Sequence, residues 1–534
     1  MVNALSQMHK MNKGLLDTIL GTNYTEDSHK THATRFLSTQ NLYSAYTILT
    51  PPNLPFLNSS QQIAVKAALH NQLTLIQGPP GTGKTVTCAA VVYNLVKQFK
   101  GKVLVVSNSN TAIDHLAVKI HHSALKVIRI VSKRRENCSD ELEFLSLHMQ
   151  AKILLKEEKK RGKTKRSTKN TAELSEDSNT ENQYSVKDTF NANKDRKKSK
   201  TAHLESNSDD DALKYKMMRK ILDNADVICC TCVTSGQKIL KKYDIPYVLI
   251  DEAVQCTEPL SIIPLAYGCR KLILVGDHKQ LGPIILDKKA AKAGLKETLF
   301  ERLIKLGNLP FLLNMQYRMH PKLAEWPSNT FYEGSLKNGI SESKRLNRTV
   351  LPFPTFFYVC YGLEELSASG TSYLNQTEAL VTEEIIKSLV KSGISEKQIG
   401  VITPYEGQRV FILNRLTKTS LKLENLEIKN VDAYQGREKD YIIISLVRSN
   451  QKQGIGFLND ERRLNVTLTR AKYGCCIIGN PNTLYKNKMW ANFINFYQDR
   501  DMIYKGSVEC LEKAIVVKKS PMVDLRALFD KIQL

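Results

Sequence analysis

The chain has 534 residues, too many for one small domain; at roughly 150 residues per domain it accommodates three or four units. Hydrophobic residues make up 42% and charged residues 24%, so most of the chain can bury a core. Lys plus Arg outnumber Asp plus Glu by 77 to 53, a net charge of +24 that favours a polyanionic partner, nucleic acid before membrane, and no run of about 18 apolar residues is long enough to span a bilayer.

In chain order, residues 1–50 are polar with short helical patches, and the opening MVNALSQMHKMNKG has neither an apolar signal core nor a small-residue cleavage site, so secretion is not expected. Pro51, Pro52 and Pro55 break the chain. From there strands alternate with amphipathic helices: LTLIQ, TCAAVVYNLVKQF, KVLVVS and AIDHLAVKIHH, the pattern of a parallel sheet flanked by helices. The pattern stops between about 152 and 215, where KRGKTKR, ELSEDSNTEN, KDRKKSK and SDDD follow in charge-segregated blocks, read as a disordered tract within an insertion at 134–222. The basic blocks 160–166 and 194–200 suit solvated chain, nucleic-acid tethers or nuclear targeting signals equally well. Alternation resumes with DVICCTC, YVLIDEA and KLILVGD. A second α/β block follows at 309–497, with strands PTFFYVC, QIGVITP, DYIIISLV and CCIIGN. The expected division is 1–50 as a helical remnant, 51–308 and 309–497 as two α/β domains, and 498–534 as a tail ending in an amphipathic helix that caps the second domain.

QGPPGTGKT contains G-x-x-x-x-G-K-[ST] between an apolar strand and a helix. Gly78, Pro79, Pro80, Gly81, Thr82 and Gly83 form a loop whose backbone N–H groups can close on phosphate oxygens at a helix N-terminus. Lys84 neutralises the β- and γ-phosphates and the Thr85 hydroxyl ligates Mg²⁺, so ATP and Mg²⁺ are the expected cofactors. Asp251 and Glu252 end the strand YVLIDEA, one carboxylate for the metal shell and one to accept a proton from attacking water. Gln280 follows the strand KLILVGD beside Gly276 and Asp277; alone it reads equally as a polar turn, but an amide there can touch the γ-phosphate and the water. The second block supplies Tyr317 and Arg318 in NMQYRMHP and Arg470 in VTLTRAKYG, cations able to stabilise transition-state oxygens. Cys229, Cys230 and Cys232 in CCTC could suggest a metal, but no second ligand pair follows. Alternation is expected to turn Cys230 away from the other two, and buried reduced thiols are the better reading.

GPPGTGKT, GDHKQLGP, QYRMHP, PYEGQR, DAYQGREKDYIIIS, GIGFLNDERRLNV and LTRA, in this order, resemble a superfamily 1 helicase, and more closely the up-frameshift RNA helicases of nonsense-mediated mRNA decay. PSNTFYEGSLKNGI and SGTSYLN, which carry no chemistry, share the resemblance over about 54–497. It implies two RecA-like P-loop domains with parallel sheets, ATP in a cleft, and 5′→3′ movement on single-stranded RNA, with DNA left open. Residue by residue, it implies that Gln61 reads the adenine edge and Tyr317 stacks on it, and that Arg318 and Arg470 act as fingers in cis. Gln435, Gly436 and Glu438 would couple nucleotide to RNA, Ser109 and Asn110 would contact the RNA backbone, and Thr403 and Pro404 would form part of its track. Asn108 stands where the family has proline, and DEAV replaces the family's DES. DEAVQCTEPLSIIPLAYG leans toward the senataxin branch, which acts on RNA–DNA hybrids. The family's N-terminal Cys/His-rich zinc domain, which docks a decay factor, has no counterpart here, and its inserted β-barrel is absent or confined to 1–50. The expected location is cytoplasmic with nuclear shuttling, and no membrane is involved. A catalytically silent RNA clamp is the rival from another class; intact Lys84, Asp251, Glu252, Gln280 and Arg470 argue against it.

Overall fold

The computed structural model describes residues 6–22, 47–132, 142–158, 212–346, 349, 351–418 and 425–516. The fold is α/β, built on two largely parallel sheets in two compact units. The first unit comprises the described residues of Met1–Gln77, Lys84–Gly276 and Pro283–Phe311. The second comprises Gly78–Gly83, Asp277–Gly282 and the described residues from Leu312 onward.

In the first unit the strands are β1 (Leu73–Gln77), β2 (Val103–Ser107), β3 (Val127–Arg129), β4 (Val227–Thr231), β5 (Tyr247–Asp251) and β6 (Lys271–Gly276). They run parallel in the order β3-β4-β2-β5-β6-β1. Both faces are buried, which is why these strands read as continuous apolar runs. Leu104, Val106, Ile228, Cys230, Val248, Ile250 and Leu274 face one core, and Met8, Met11, Leu15 and Ile19 pack into it. The last two belong to helix α1 (Lys13–Leu20), so the described part of 1–50 is a structural member of this unit. Helices α2 (Ser59–His70), α3 (Lys84–Gln98) and α4 (Asn110–His121) pack around strands of the same sheet. Register places Gln77 beside Gly276 and Ser107 beside Asp251, so the segments that follow β1, β2, β5 and β6 all leave from one edge of the sheet. In parallel sheets that edge is where ligands bind.

The second unit contains α5 (Pro321–Phe331), β7 (Thr355–Val359), α6 (Gln376–Lys391), β8 (Ile399–Ile402), α7 (Glu406–Leu416), β9 (Glu427–Lys429), β10 (Lys439–Ser445), α8 (Glu461–Leu468), β11 (Ala471–Gly479), α9 (Lys488–Gln498), β12 (Ile503–Ser507) and β13 (Cys510–Lys513). Its sheet order is β9-β8-β10-β11-β7-β12-β13, parallel except for the final β12–β13 pair. Phe357, Ile402, Ile442, Ile444 and Ile477 pack on one side with Trp326, Trp490 and Phe493. Phe356, Val401, Ile443 and Ile478 pack on the other with Ile385, Ile386 and Ile412.

Three sequence expectations are corrected. The second unit does not stop at 497: β12 pairs with β7 through Phe357–Ile503 and Tyr358–Tyr504, because Ile503 completes the apolar face. The expected capping helix near 534 lies outside the described residues. The insertion is ordered at both margins, with helical residues 147–158 and 212–223 reaching inside the expected disordered tract 152–215. Ala151, Met217, Ile221 and Leu222 anchor them in the first core; most of the tract, 159–211, lies outside the described residues. Finally, Cys230 and Cys232 share one core and Cys229 faces away from it, since residues two apart on a strand point the same way.

Candidate nucleotide site

At the edge where β1 and β5 end, the first unit brings the central charged groups together. Lys84 Nζ lies 3.8 Å from Glu252 Oε1, both side chains partly exposed. Glu252 Oε2 accepts a hydrogen bond from the Gln255 side chain at 2.9 Å. Glu252 itself sits at φ 51°, a left-handed conformation that costs a non-glycine residue roughly 1–3 kcal/mol and recurs at functional sites. It follows the last residue of β5 and opens the turn Ala253–Gln255, closed by the Gln255 N–H on the Glu252 carbonyl.

Asp251, one residue earlier, is buried, and its Oδ1 has no hydrogen-bond partner among the described residues. Burial first, and the neighbouring Glu252 charge second, hold its carboxyl above the usual carboxylate range. A buried, unpartnered carboxylate oxygen of this kind fits a cation ligand. Thr85 follows Lys84 in the first turn of α3. Mg²⁺ would be held by Asp251 and Thr85, and when bound it would neutralise phosphate charge.

The phosphate loop has the conformation its glycines permit: Gly81 at φ 75° and Gly83 at φ 80°, both left-handed. Gly81 accepts a backbone hydrogen bond from Tyr317 at 2.8 Å, and the Thr82 hydroxyl donates to the Pro79 carbonyl. Gln61 is buried in the capping box of α2, where its Oε1 accepts from the Asn58 N–H at 3.0 Å and its own backbone N–H reaches Asn58 Oδ1. Tyr317 carries an exposed ring, as a stacking platform requires.

A second network gathers the remaining predicted groups. Gln280 donates to Asp277 Oδ2 at 2.7 Å, and the Tyr332 hydroxyl donates to the same oxygen at 2.7 Å. Asn465 donates to the Tyr332 oxygen and to the Lys279 carbonyl, each at 2.8 Å. Arg470, 2% exposed, bonds the Val466 carbonyl and the Thr469 hydroxyl and reaches Gln280 Oε1 at 3.5 Å. Arg318 is engaged separately: its Nε donates to Glu438 at 2.6 Å and its Nη1 to the Thr469 carbonyl, while Lys472 pairs with the other Glu438 oxygen at 3.0 Å. The Gln435 side chain donates to the Leu281 carbonyl at 3.3 Å, and Gly436 takes φ 77°.

The residues assigned to RNA divide. Ser109 caps α4 and Asn110 opens it, with Asn110 exposed at the edge where β2 ends. Arg129, fully buried, donates to Asn110 Oδ1 at 3.0 Å and to Asp114 at 2.7 Å, fixing that helix end. Thr403, by contrast, is fully buried and its hydroxyl has no partner among the described residues; Pro404 lines a small apolar cavity with Leu446, Phe457 and Leu458. Arg129, Tyr332 and Gln255 were not singled out from the sequence. A lone Arg in an apolar strand was the available signal for Arg129; Tyr332 and Gln255 carried none. The cysteines form no metal cluster among the described residues: Cys232 Sγ lies 3.6 Å from Cys256 Sγ, both buried.

Residues 56–288 and 295–482 each match a family described as an AAA domain. The chain is 47% identical over 475 residues to a regulator of nonsense transcripts 1 homolog of Neurospora crassa, covering 87% of this chain and 41% of that protein. The Arabidopsis thaliana homolog of the same name is 47% identical over 482 residues, 88% of this chain and 36% of it. The Saccharomyces cerevisiae ATP-dependent helicase NAM7 is 45% identical over 475 residues, 87% of this chain and 46% of it. Over the stretch they share, the chain is similar to regulator of nonsense transcripts 1 proteins. It spans about two fifths of the length of the curated relatives it matches. The stretches that match the two AAA-domain families contain the glycine-rich loop 78–83, the Asp251–Glu252 pair and Arg470.

Proposed function

We propose that this chain is the motor of an ATP-dependent helicase that moves 5′→3′ along single-stranded RNA in nonsense-mediated mRNA decay. The observation that carries the reading is the arrangement at the end of β5: Glu252 against Lys84, with the unpartnered Asp251 oxygen beside it. In this reading Lys84 leaves Glu252 for the β- and γ-phosphates when nucleotide binds, and Asp251 and Thr85 would hold Mg²⁺. Glu252 takes the proton of the attacking water. Arg470 and Gln280, already in one network, respond to the γ-phosphate, while Arg318 exchanges Glu438 for a phosphate oxygen. Gln61 and Tyr317 hold the adenine, and Gln435, Gly436 and Glu438 couple nucleotide to strand. Ser109 and Asn110 bind strand phosphates, and the net charge of +24 supports a salt-sensitive, largely phosphate-based affinity. For Thr403 and Pro404 the proposed role is to shape the strand track from beneath, since Thr403 is buried.

The test is hydrolysis with and without a single-stranded RNA, followed by unwinding of tailed substrates of both polarities. The proposal expects RNA to stimulate hydrolysis and a 5′ tail to be required. Equal rates with and without RNA would refute it. Faster unwinding of RNA–DNA hybrids than of RNA duplexes would instead favour the senataxin-like reading of DEAVQCTEPLSIIPLAYG. Decay-factor binding, and a cytoplasmic location with nuclear shuttling, are part of the same proposal, testable by co-purification and by imaging of the tagged chain.

A further inference from the structure

A short hydrogen-bonded path joins the segment proposed to hold the strand to the carboxylate proposed to activate water. Asn108 immediately follows β2, is exposed, and donates from Nδ2 to the Gln255 carbonyl at 3.0 Å. Gln255 in turn donates from Nε2 to Glu252 Oε2 at 2.9 Å, and its backbone N–H closes the turn on the Glu252 carbonyl at 2.9 Å. The other Glu252 oxygen faces Lys84 at 3.8 Å. One Glu252 oxygen is therefore engaged by the Gln255 amide whether or not Lys84 stays, so the orientation of the carboxylate that would accept a water proton is restrained by Gln255. The left-handed Glu252 backbone is maintained by the same turn, so a restraint on the Gln255 carbonyl is also a restraint on Glu252.

The two ends differ in how firmly they are held. Asn110 and Asp114 are fastened to buried Arg129, which fixes α4. Asn108, one residue before the Ser109 cap, is held by a single exposed side-chain bond, which water or a phosphate oxygen can replace. A strand laid along Ser109 and Asn110 would meet that donor first.

We propose that Asn108 and Gln255 are positioning residues that form a brake: without a strand the Gln255 amide keeps its hold on Glu252, and a strand phosphate that takes the Asn108 amide loosens that hold. The proposal rests on the reading of this chain as a strand-stimulated ATPase. It predicts a gain of activity, which damage to the fold would not produce. In Asn108→Ala and Gln255→Met, hydrolysis without RNA should rise about tenfold, while the RNA-saturated rate stays within about twofold of the parent. Asn108→Asp, the same shape without the donor, should behave as Asn108→Ala. The double variant should rise no further than either single one, because both cut one path.

The experiment is steady-state hydrolysis by the full chain and its variants, with and without saturating single-stranded RNA, with RNA affinity measured alongside by fluorescence anisotropy. A fall in the RNA-stimulated ratio through a raised basal rate supports the brake. Unchanged basal rates, or basal and stimulated rates falling together, would overturn it while leaving the helicase reading intact. A parent chain that RNA does not stimulate would overturn both.

Discussion

Replacing Glu252 by Gln tests the centre of the site, because it removes one charge and almost no volume. The structure predicts two effects of opposite direction. Turnover should fall at least ~10²-fold, the usual worth of a general base. Nucleotide binding should improve, because Glu252 competes with phosphate for Lys84. The two charges are 3.8 Å apart and both side chains are partly exposed, so the water-like end of Coulomb's law applies and the pair is worth about 1 kcal/mol. Relieving that competition should tighten ATP and ADP binding roughly fivefold, most clearly at low salt. Fluorescent nucleotide titration paired with single-turnover hydrolysis reads both quantities in one preparation. A variant that hydrolyses at a near-normal rate would remove Glu252 from the mechanism. A variant that binds ATP more weakly would show that Glu252 supports the phosphate site rather than competing with it.

Arg470 is buried and bonded to the Val466 carbonyl, so Arg470→Lys is a gentler test than alanine. It should keep ADP affinity within about threefold yet cut RNA-stimulated hydrolysis by roughly 10³-fold, whereas Lys84→Ala should impair both; loss of ADP binding in Arg470→Lys would make that residue structural. Glu378 is fully buried, and burial pushes its carboxyl up to about 7. The folded chain then binds more protons than the unfolded one between about pH 4.5 and 7, so stability should fall by up to about 3 kcal/mol as pH rises through that window. Glu378→Gln should flatten that slope in denaturant titrations at pH 5 and 8; an unchanged slope would place the titration elsewhere. Arg129→Met should destabilise the first unit by about 3 kcal/mol and weaken RNA binding, because it removes the buried ion pair with Asp114 and the donor that fixes Asn110, and wild-type stability by chemical denaturation would refute this.

Strands were legible in the sequence wherever both faces of a sheet are buried, because LTLIQ, YVLID and KLILVG can satisfy no other environment. The phosphate loop and the Asp251–Glu252 pair were legible for a different reason: their chemistry is local, set by backbone conformation at a strand end. What the sequence could not determine was anything that depends on pairing distant segments. β12 and β13 have ordinary polar-apolar composition, and only the exposed edge of β7 recruits them. Thr403 was assigned with Pro404 to the RNA track, but its side chain is buried after the strand it follows. Arg318 and Glu438 were assigned separate roles, and only tertiary folding joins their charges across 120 residues. Gln255 had no sequence signal at all, because its meaning lies in joining two hydrogen bonds: one to Glu252 three residues back, the other from Asn108, 147 residues away in sequence. Periodicity and local motifs are properties of consecutive residues, and a sequence states them directly. Which buried polar group finds which partner is settled only when the chain closes on itself and every such group must be satisfied.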